Sequence, residues 1–431
     1  MKKIFVLLLS AVLICACDSR YDEFLRLIPT DDTVPAPMPL LNVHVARSIA
    51  GGAIIKFDYP DDDNVRGAVA YYTRNGADVS TKVSRYVDSL VVEGFPNTDS
   101  QVIKLASFNV NEVQSDPTEL SIVPLAPTVT TVKCEITPTY GGVKIFVEGN
   151  ESKSDLAVVL LRDDDLSDAA LPIRDRKWVE VTTLFTASNK VYLSRRNLDP
   201  VEALYGVYVR DHWGNTSAMT DASVTPIPEY KLDKKLFRDA ALPDDNCKQA
   251  KSTYPLVSLW DDFYGATAEN HMFACDEAPR PCWLTINLGQ TAHLSRIHTL
   301  PRVDYNIWKD AHPRDFEFWG WGEAEEPAGS ENLDNPHGFQ TGWVLLGAFT
   351  QYKPSGYLPD GSVGDYTSED REYFNAGNDF DLDISKWIHA NDAIRYLRVV
   401  FVDNFMTYNT GLSTMAVQIS EITPYGLPVT E

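Results

Sequence analysis

Residues 306–322 read "NIWKDAHPRDFEFWGWG", and how they are read decides the rest of the chain. Phe316 and Phe318 alternate with Asp315 and Glu317, the two-residue period of a strand that buries one face. Trp308, Lys309 and His312 stand just before them, so the stretch is a buried strand, a binding surface, or one running into the other. Working outward, the same period recurs. Leu284, Ile286 and Leu288 alternate with Trp283, Thr285 and Asn287, and Leu397, Val399 and Phe401 alternate with Arg398 and Val400. The apolar member of each pair is expected to face a core.

At 431 residues the chain is long enough for two to four domains. Hydrophobic residues make up 44% and charged residues 23%, an ordinary globular balance. The formal net charge is −23 and the isoelectric point is near 4.7. That argues against nucleic acid, which needs a basic footprint, and suits neutral or cationic partners.

The opening "MKKIFVLLLSAVLICAC" has two lysines, an apolar run and small residues before Cys17. This is the layout of a signal peptide over 1–16, and the run is too short for a spanning helix. Residues 14–17, Ile-Cys-Ala-Cys, resemble a bacterial lipobox, which implies lipidation of Cys17. Each buried acyl methylene contributes roughly 0.8 kcal/mol, so two or three chains anchor stably. A plain secretion signal is the alternative. Residues 17–39 continue as an acidic patch and then a tether with prolines at 35, 37 and 39, a composition that favours a stiff extended spacer. The patch resembles the one that follows the lipidated cysteine in surface-exported lipoproteins of the Bacteroidetes.

Residues 40–126 and 127–228 are expected to be an internal repeat. "GGAIIKF" at Gly51 matches "GGVKIFV" at Gly141, and "SIVPLAP" at Ser121 matches "SVTPIPE" at Ser223. Short alternating strands, with an Asn75-Gly76 hairpin turn, indicate β-sandwich modules. The blocks resemble fibronectin type III modules. Trp213, in the turn "DHWGN", is expected to be a packing residue. The run Asp61-Asp62-Asp63 lacks the closing glutamate of a calcium loop and reads as a solvated turn.

Residues 229–431 carry, in order, "LWDDF", "CWLTINLG", "SRIHTLPR", "PRDFEFWGWG", "IRYLRVVF" and "ISEITPYG". This succession resembles the discoidin domain, the coagulation factor 5/8 C-terminal type. The expected fold class is therefore all-β: two immunoglobulin/fibronectin III-like β-sandwiches followed by a discoidin-like jelly-roll β-sandwich. The resemblance makes 302–314 a loop projecting from one end of that sandwich. Tyr305, Asn306, Trp308, Lys309 and His312 are the first candidate ligand residues, because an aromatic face stacks on the C–H face of a sugar while charged and amide groups bond its hydroxyls. Tyr264, Asn270 and His271 form a second loop of the site, and Asn404, Phe405, Tyr408 and Asn409 a third. The competing reading is that these aromatics only pack the loops. The resemblance also implies a structural Ca²⁺ held by Asp261, Asp262 and Glu421, although "DDFYGAT" departs from the usual loop at its glycine; otherwise Glu421 pairs on the sandwich surface.

Cys275 and Cys282 flank "DEAPRP" and are candidates for a disulfide in an oxidising compartment, with Cys247 as a rival partner. The scattered histidines and the lack of a C-x-x-C pair speak against zinc. Motifs for a serine nucleophile elbow, a zincin or a phosphate loop are missing, so the expectation is not an enzyme. The layout resembles lipoproteins of Bacteroidetes polysaccharide-utilisation loci. That resemblance implies an outer-membrane, lipid-anchored protein facing the cell exterior. It would capture carbohydrate and work beside an importer or a glycosidase. The alternative is a structural or adhesive subunit whose discoidin-like face binds protein.

Overall fold

A computed structural model describes residues 34–264, 271–303, 306–329, 335–383 and 387–429. The expected signal peptide, Cys17 and the first part of the tether lie outside the described residues, as do Asn270 and Tyr305. Nearly all regular structure is β, and no described helix is long and apolar enough to cross a membrane.

The first repeat contributes β1 (Leu41–Ile49), β2 (Gly52–Asp58), β3 (Gly67–Arg74), β4 (Ala77–Ser84), β5 (Ser89–Glu93), β6 (Gln101–Phe108) and β7 (Thr118–Ile122). They form a three-stranded sheet β1-β2-β5 and a four-stranded sheet β4-β3-β6-β7. Alternate side chains bury Ala53, Ile55 and Phe57 from β2, with Ile103 and Leu105 from β6. The Asn75-Gly76 turn has positive φ at both residues and pairs Arg74 with Ala77, a two-residue hairpin of the expected kind.

The second repeat contributes β8 (Lys133–Thr139), β9 (Gly142–Glu148), β10 (Leu156–Asp163), β11 (Val179–Thr186), β12 (Lys190–Arg195), β13 (Ala203–Arg210) and β14 (Thr220–Val224). Its sheet orders, β12-β9-β8 and β11-β10-β13-β14, reproduce the first repeat strand for strand. The duplicated Gly-Gly pair has one job in both. Gly51 and Gly141 turn the chain at φ 63° and 69°. A Cβ on Gly52 would stand 2.2 Å from Val92 O, and one on Gly142 would stand 1.8 Å from Arg195 O. The matching end segments then return to their own turns: Gly51 N donates to Leu125 O (2.9 Å), and Gly141 N to Ile227 O (2.6 Å).

The C-terminal domain contributes β15 (Tyr230–Lys231), β16 (Arg238–Asp239), β17 (Phe273–Pro279), β18 (Cys282–Leu300), β19 (Pro313–Trp321), β20 (Val344–Thr350), α1 (Ser368–Ala376), β21 (Asn378–Asp381), β22 (Ala393–Asn404), α2 (Phe405–Thr410), β23 (Thr414–Ile419) and β24 (Glu421–Pro428). The large sheet runs β15-β24-β18-β22-β19-β20, with β16 and β21 also paired to β18, and β17-β23 forms the small sheet. "CWLTINLG" and the first six residues of "SRIHTLPR" belong to one long strand, β18. Its first half pairs with β22 and its second with β24.

The second half of the opening stretch, β19, is a strand buried on both faces. Phe316 and Phe318 join the main core with Leu284, Ile286, Val399 and Phe401. Trp319 and Trp321 point the other way, into a second cluster with Phe339, Trp343, Tyr396 and Val400. Residues 335–343 of the long insert supply Phe339 and Trp343 to cover that outer face. This corrects the simple alternation expected for β22, because Arg398 and Val400 are as buried as their neighbours.

Candidate functional site

The loop before β19 is shaped by backbone rather than by repeating structure. Asn306, Trp308 and Asp310 all have positive φ (42°, 56° and 55°), a conformation that bulky side chains rarely adopt. Asn306 Nδ2 donates to Asp310 Oδ2 (2.5 Å) and Lys309 N to Asn306 O (2.9 Å), which close the loop on itself. Met406 N donates to Asp310 O (3.1 Å) and Gln418 N to Ala311 O (2.9 Å), tying it to α2 and β23.

That conformation turns the Trp308 indole inward. It is 1% exposed and packs among Phe374 (ring centroids 5.1 Å), Phe405 (5.7 Å) and Tyr357 (6.4 Å). Each partner is held by its own local chemistry. Thr367 and Asp370 form a reciprocal cap on α1, which carries Phe374. Burial alone would raise the Asp370 carboxyl. Donors from Thr367, Ser355 and Lys353 outweigh burial and hold it well below the usual carboxylate range. Asn404 caps α2, which carries Phe405: its Oδ1 accepts from Thr407 N (2.6 Å) and its Nδ2 donates to Ala416 O (2.8 Å).

Over this cluster lies an open cavity of about 360 Å³. Ile307, Trp308, Lys309 and Asp310 border it from the loop, residues 362–364 and Tyr366 from the insert, and Phe405, Met406, Asn409 and Thr410 from α2. Lys309, Asp310, Asn409, Tyr366 and Met406 are exposed, with Tyr366 at 43%. The described site therefore has a ring at its rim and a cation, a carboxylate and an amide nearby.

The structure sorts the expected site residues into groups. Trp308, Lys309, Phe405 and Asn409 border one cavity. Trp308 does so as a buried wall, which corrects its expected role as an exposed platform. His312 is also buried, edge-on to Phe374 at 5.1 Å. Asn404 is a buried cap, and Asn306 closes its own loop. Tyr408 has one face taken by the Arg314 guanidinium at 3.4 Å. Tyr264 is exposed, while His271 pairs with Asp261 (2.6 Å) and lies edge-on to Phe263. Neither borders the Trp308 cavity. Tyr366, Asp310, Ser362 and Met406 were missed. The insert around "LPDGSVGDY" reads only as polar loop, and nothing local shows that it folds over α2.

The expected calcium position is filled by the protein. Lys234 Nζ bonds Glu421 Oε1, Thr423 Oγ1 (2.6 Å) and Asp262 Oδ1 (2.8 Å), and Lys231 also reaches Asp262 (2.6 Å). No group of three metal-binding side chains occurs among the described residues. Asp262 and Glu421 are thus part of an ion-pair network whose cation is an ammonium, while Asp261 pairs with His271 instead. Burial pushes the Glu421 carboxyl up to about 7, against the pull of Lys234. Burial acts on Asp262 too, but its two lysines outweigh it and hold the carboxyl low.

The expected disulfide is not formed: Cys275 and Cys282 are free thiols, as are Cys134 and Cys247. Cys247, the rival partner, is buried in the same core cluster as Cys275 and Cys282.

Three family models match the chain in succession, each described only as a domain of unknown function: DUF4959 over residues 37–124, DUF5126 over 125–235 and DUF5000 over 260–426. No curated protein matches it. Among solved structures, the SusE-like protein BT2857 is 22% identical, with 70% of this chain and 100% of that one covered at a TM-score of 0.39. A family 32 carbohydrate-binding module from a family 31 glycoside hydrolase of Clostridium perfringens is 14% identical, covering 46% and 95% at 0.30. The family 32 module of C. perfringens NanJ, solved with galactose, is 13% identical, covering 46% and 98% at 0.27. Likeness at this level leaves the functional argument with the chain's own residues.

Proposed function

We propose that this chain is a non-catalytic glycan-binding lipoprotein of the cell surface, anchored through Cys17, and that its C-terminal domain takes carbohydrate in the cavity above Trp308. One observation carries the reading. An exposed aromatic ring, Tyr366, borders an open cavity beside Lys309, Asp310 and Asn409, over an aromatic floor that is already packed. A ring pairs with the C–H face of a sugar, and the charged and amide groups suit its hydroxyls. Asp310 is the one carboxylate among the described residues bordering the cavity. Glycoside hydrolysis needs two, so the site suits capture rather than cleavage. The two sandwiches then serve as spacers, and many copies on one cell supply avidity to a weak module. An importer or a glycosidase in the same membrane would take the captured chain.

A second reading, an adhesive subunit that binds protein, draws on another place. Val257, Phe263 and Tyr264 are exposed near a cavity of about 660 Å³ lined by Phe237, Leu256 and Trp260.

The test is affinity electrophoresis and calorimetry on soluble protein starting after Cys17, across plant and host glycans. Tyr366→Ala and Lys309→Ala are run alongside, with thermal unfolding as a folding control. Binding that both substitutions weaken in folded protein supports the reading. Binding untouched by either removes it from this cavity. No binding to any glycan, with capture of an outer-membrane protein that Phe263→Ala abolishes, favours the second reading.

A further inference from the structure

Tyr366 is the exposed ring at the cavity rim, yet its side chain makes no hydrogen bond and no ring contact among the described residues. Its place is therefore set by the backbone that carries it. That backbone runs between two anchors, with Val363 packed against the Trp308 cluster in between. On the C-terminal side stands Thr367, the cap of α1, whose N donates to Asp370 Oδ2 (2.8 Å). On the N-terminal side stands a compact turn, in which Gly361 N donates to Leu358 O (2.8 Å) and Leu358 N to Ser362 O (2.9 Å).

A residue from outside the insert holds that turn. Arg314, in β19, is buried, and its guanidinium lies 3.4 Å from the ring centroid of Tyr408 in α2 and 5.0 Å from that of Tyr357 in the insert. Nη2 donates to Gly361 O (3.3 Å), and Nη1 bonds Asp315. Tyr408 closes the contact from α2, its hydroxyl donating to Asp360 O (3.4 Å). Gly361 makes room for this: its φ is 80°, and a Cβ there would overlap the Tyr408 hydroxyl. One guanidinium thus joins β19, α2 and the insert. It uses its plane for a ring and its fork for a carbonyl and a carboxylate, which an ammonium cannot do at once. Arg314, Tyr357, Gly361 and Tyr408 do not border the cavity.

We propose that Arg314 is a positioning residue of the site: by clamping residues 357–361 to α2 it sets where Tyr366 stands at the rim, and it acts on a glycan only through that ring. The proposal rests on the cavity being the glycan site. A ring carried on a loose loop must be ordered when ligand arrives, and holding its segment in advance removes that cost. Tyr408, expected from the sequence to touch the ligand, is on this account the far half of the clamp.

The experiment combines amide hydrogen exchange with calorimetry on the soluble chain starting after Cys17. The probes are cello-, galacturono- and chito-oligosaccharides, a neutral, an acidic and an N-acetylated series. The variants are Arg314→Met, Tyr408→Leu, Tyr366→Ala, and Arg314→Met combined with Tyr366→Ala. Tyr408→Leu removes the stacked ring and keeps the Arg314–Asp315 pair, so it takes the place of Arg314→Met in the cycle if that variant does not fold. Both clamp variants should speed exchange at the amides of Leu358, Gly361 and Ser362 and leave the two sandwiches as in wild type. Each should weaken the series that binds by about tenfold, as Tyr366→Ala does, and the combined variant should lose no more than that. Losses that multiply to about a hundredfold make the two residues independent and overturn the positioning role. Unchanged exchange at the three amides, or full affinity in the clamp variants, overturns it too, and in each of these cases the cavity reading stands. Binding that Tyr366→Ala leaves untouched, or no wild-type binding to any series, removes the cavity reading and the positioning role together, even where exchange shows the clamp.

Discussion

Around Arg398, the rings of Phe339 and Trp343 both lie 4.4 Å from the guanidinium, and every guanidinium nitrogen is engaged: Nε by Thr285 (2.9 Å), Nη1 and Nη2 by Asp244 (2.8 and 3.0 Å). Around Trp308, three rings pack with centroids 5.1 to 6.4 Å away, and an open cavity with an exposed polar rim lies beside the cluster. Both places combine aromatic rings with polar groups, the composition often read as a sugar site. The first has already bound its cation, which is its own arginine. The second borders open space, with Lys309 and Tyr366 exposed at its rim. Aromatic content thus marks where a domain is packed; exposed polar and aromatic groups beside open space mark where it can bind. Lys234 repeats the lesson at Glu421, where an ammonium fills a position that resemblance assigned to calcium.

The sharpest way to break this comparison is to empty the closed cluster. Arg398→Met leaves Asp244 and Asp245 without their counter-charge and should cost about 3–5 kcal/mol in urea unfolding; a neutral effect would mean the arginine is not the keystone. Trp308→Ala should cost a similar or slightly smaller amount, about 3–5 kcal/mol, because it empties the centre of a buried cluster. It therefore tests packing, and lost binding in that variant would say little about the ligand.

Glu421 gives an effect that depends on pH. Its folded-state value, about 7, lies above the ordinary glutamate value of about 4.3, so between these two the folded chain holds a proton that the unfolded chain has released. Stability should fall as pH rises through that window and level off above it. The total is at most about 4 kcal/mol, since one pH unit is worth about 1.4. Glu421→Gln should flatten that part of the profile, and an unchanged slope would point to Asp245, which burial raises to about 6 and which acts with the same sign. The smallest expected effect on stability is that of Tyr366→Ala, within about 0.5 kcal/mol for an exposed side chain. Its glycan affinity should nonetheless drop by about tenfold or more, which separates the open site from the closed one.

Much of the scaffold was legible because it depends on near neighbours. The alternation at Phe316 and Phe318 follows from the two-residue period of a strand, and the Gly-Gly repeat from the turn and close strand approach that each block requires. Trp308 could be assigned to a loop before β19 but not to the interior. Phe374 and Phe405, which bury it, come from helices in later parts of the chain. Trp319 and Trp321 likewise gave no sign that residues 335–343 would fold back over them.

Glu421 and the "DDF" loop could be paired by resemblance, but their cation could not be named, because Lys234 lies 187 residues from Glu421 in the chain. By itself, then, the sequence determined strand period, turn positions, the duplication and the all-β class, each a matter of local sterics and alternation. Only the tertiary structure decided which aromatic rings are buried, which charges are already paired and which groups stay exposed beside open space. Those outcomes depend on desolvation by side chains brought together from distant segments, which no local pattern encodes.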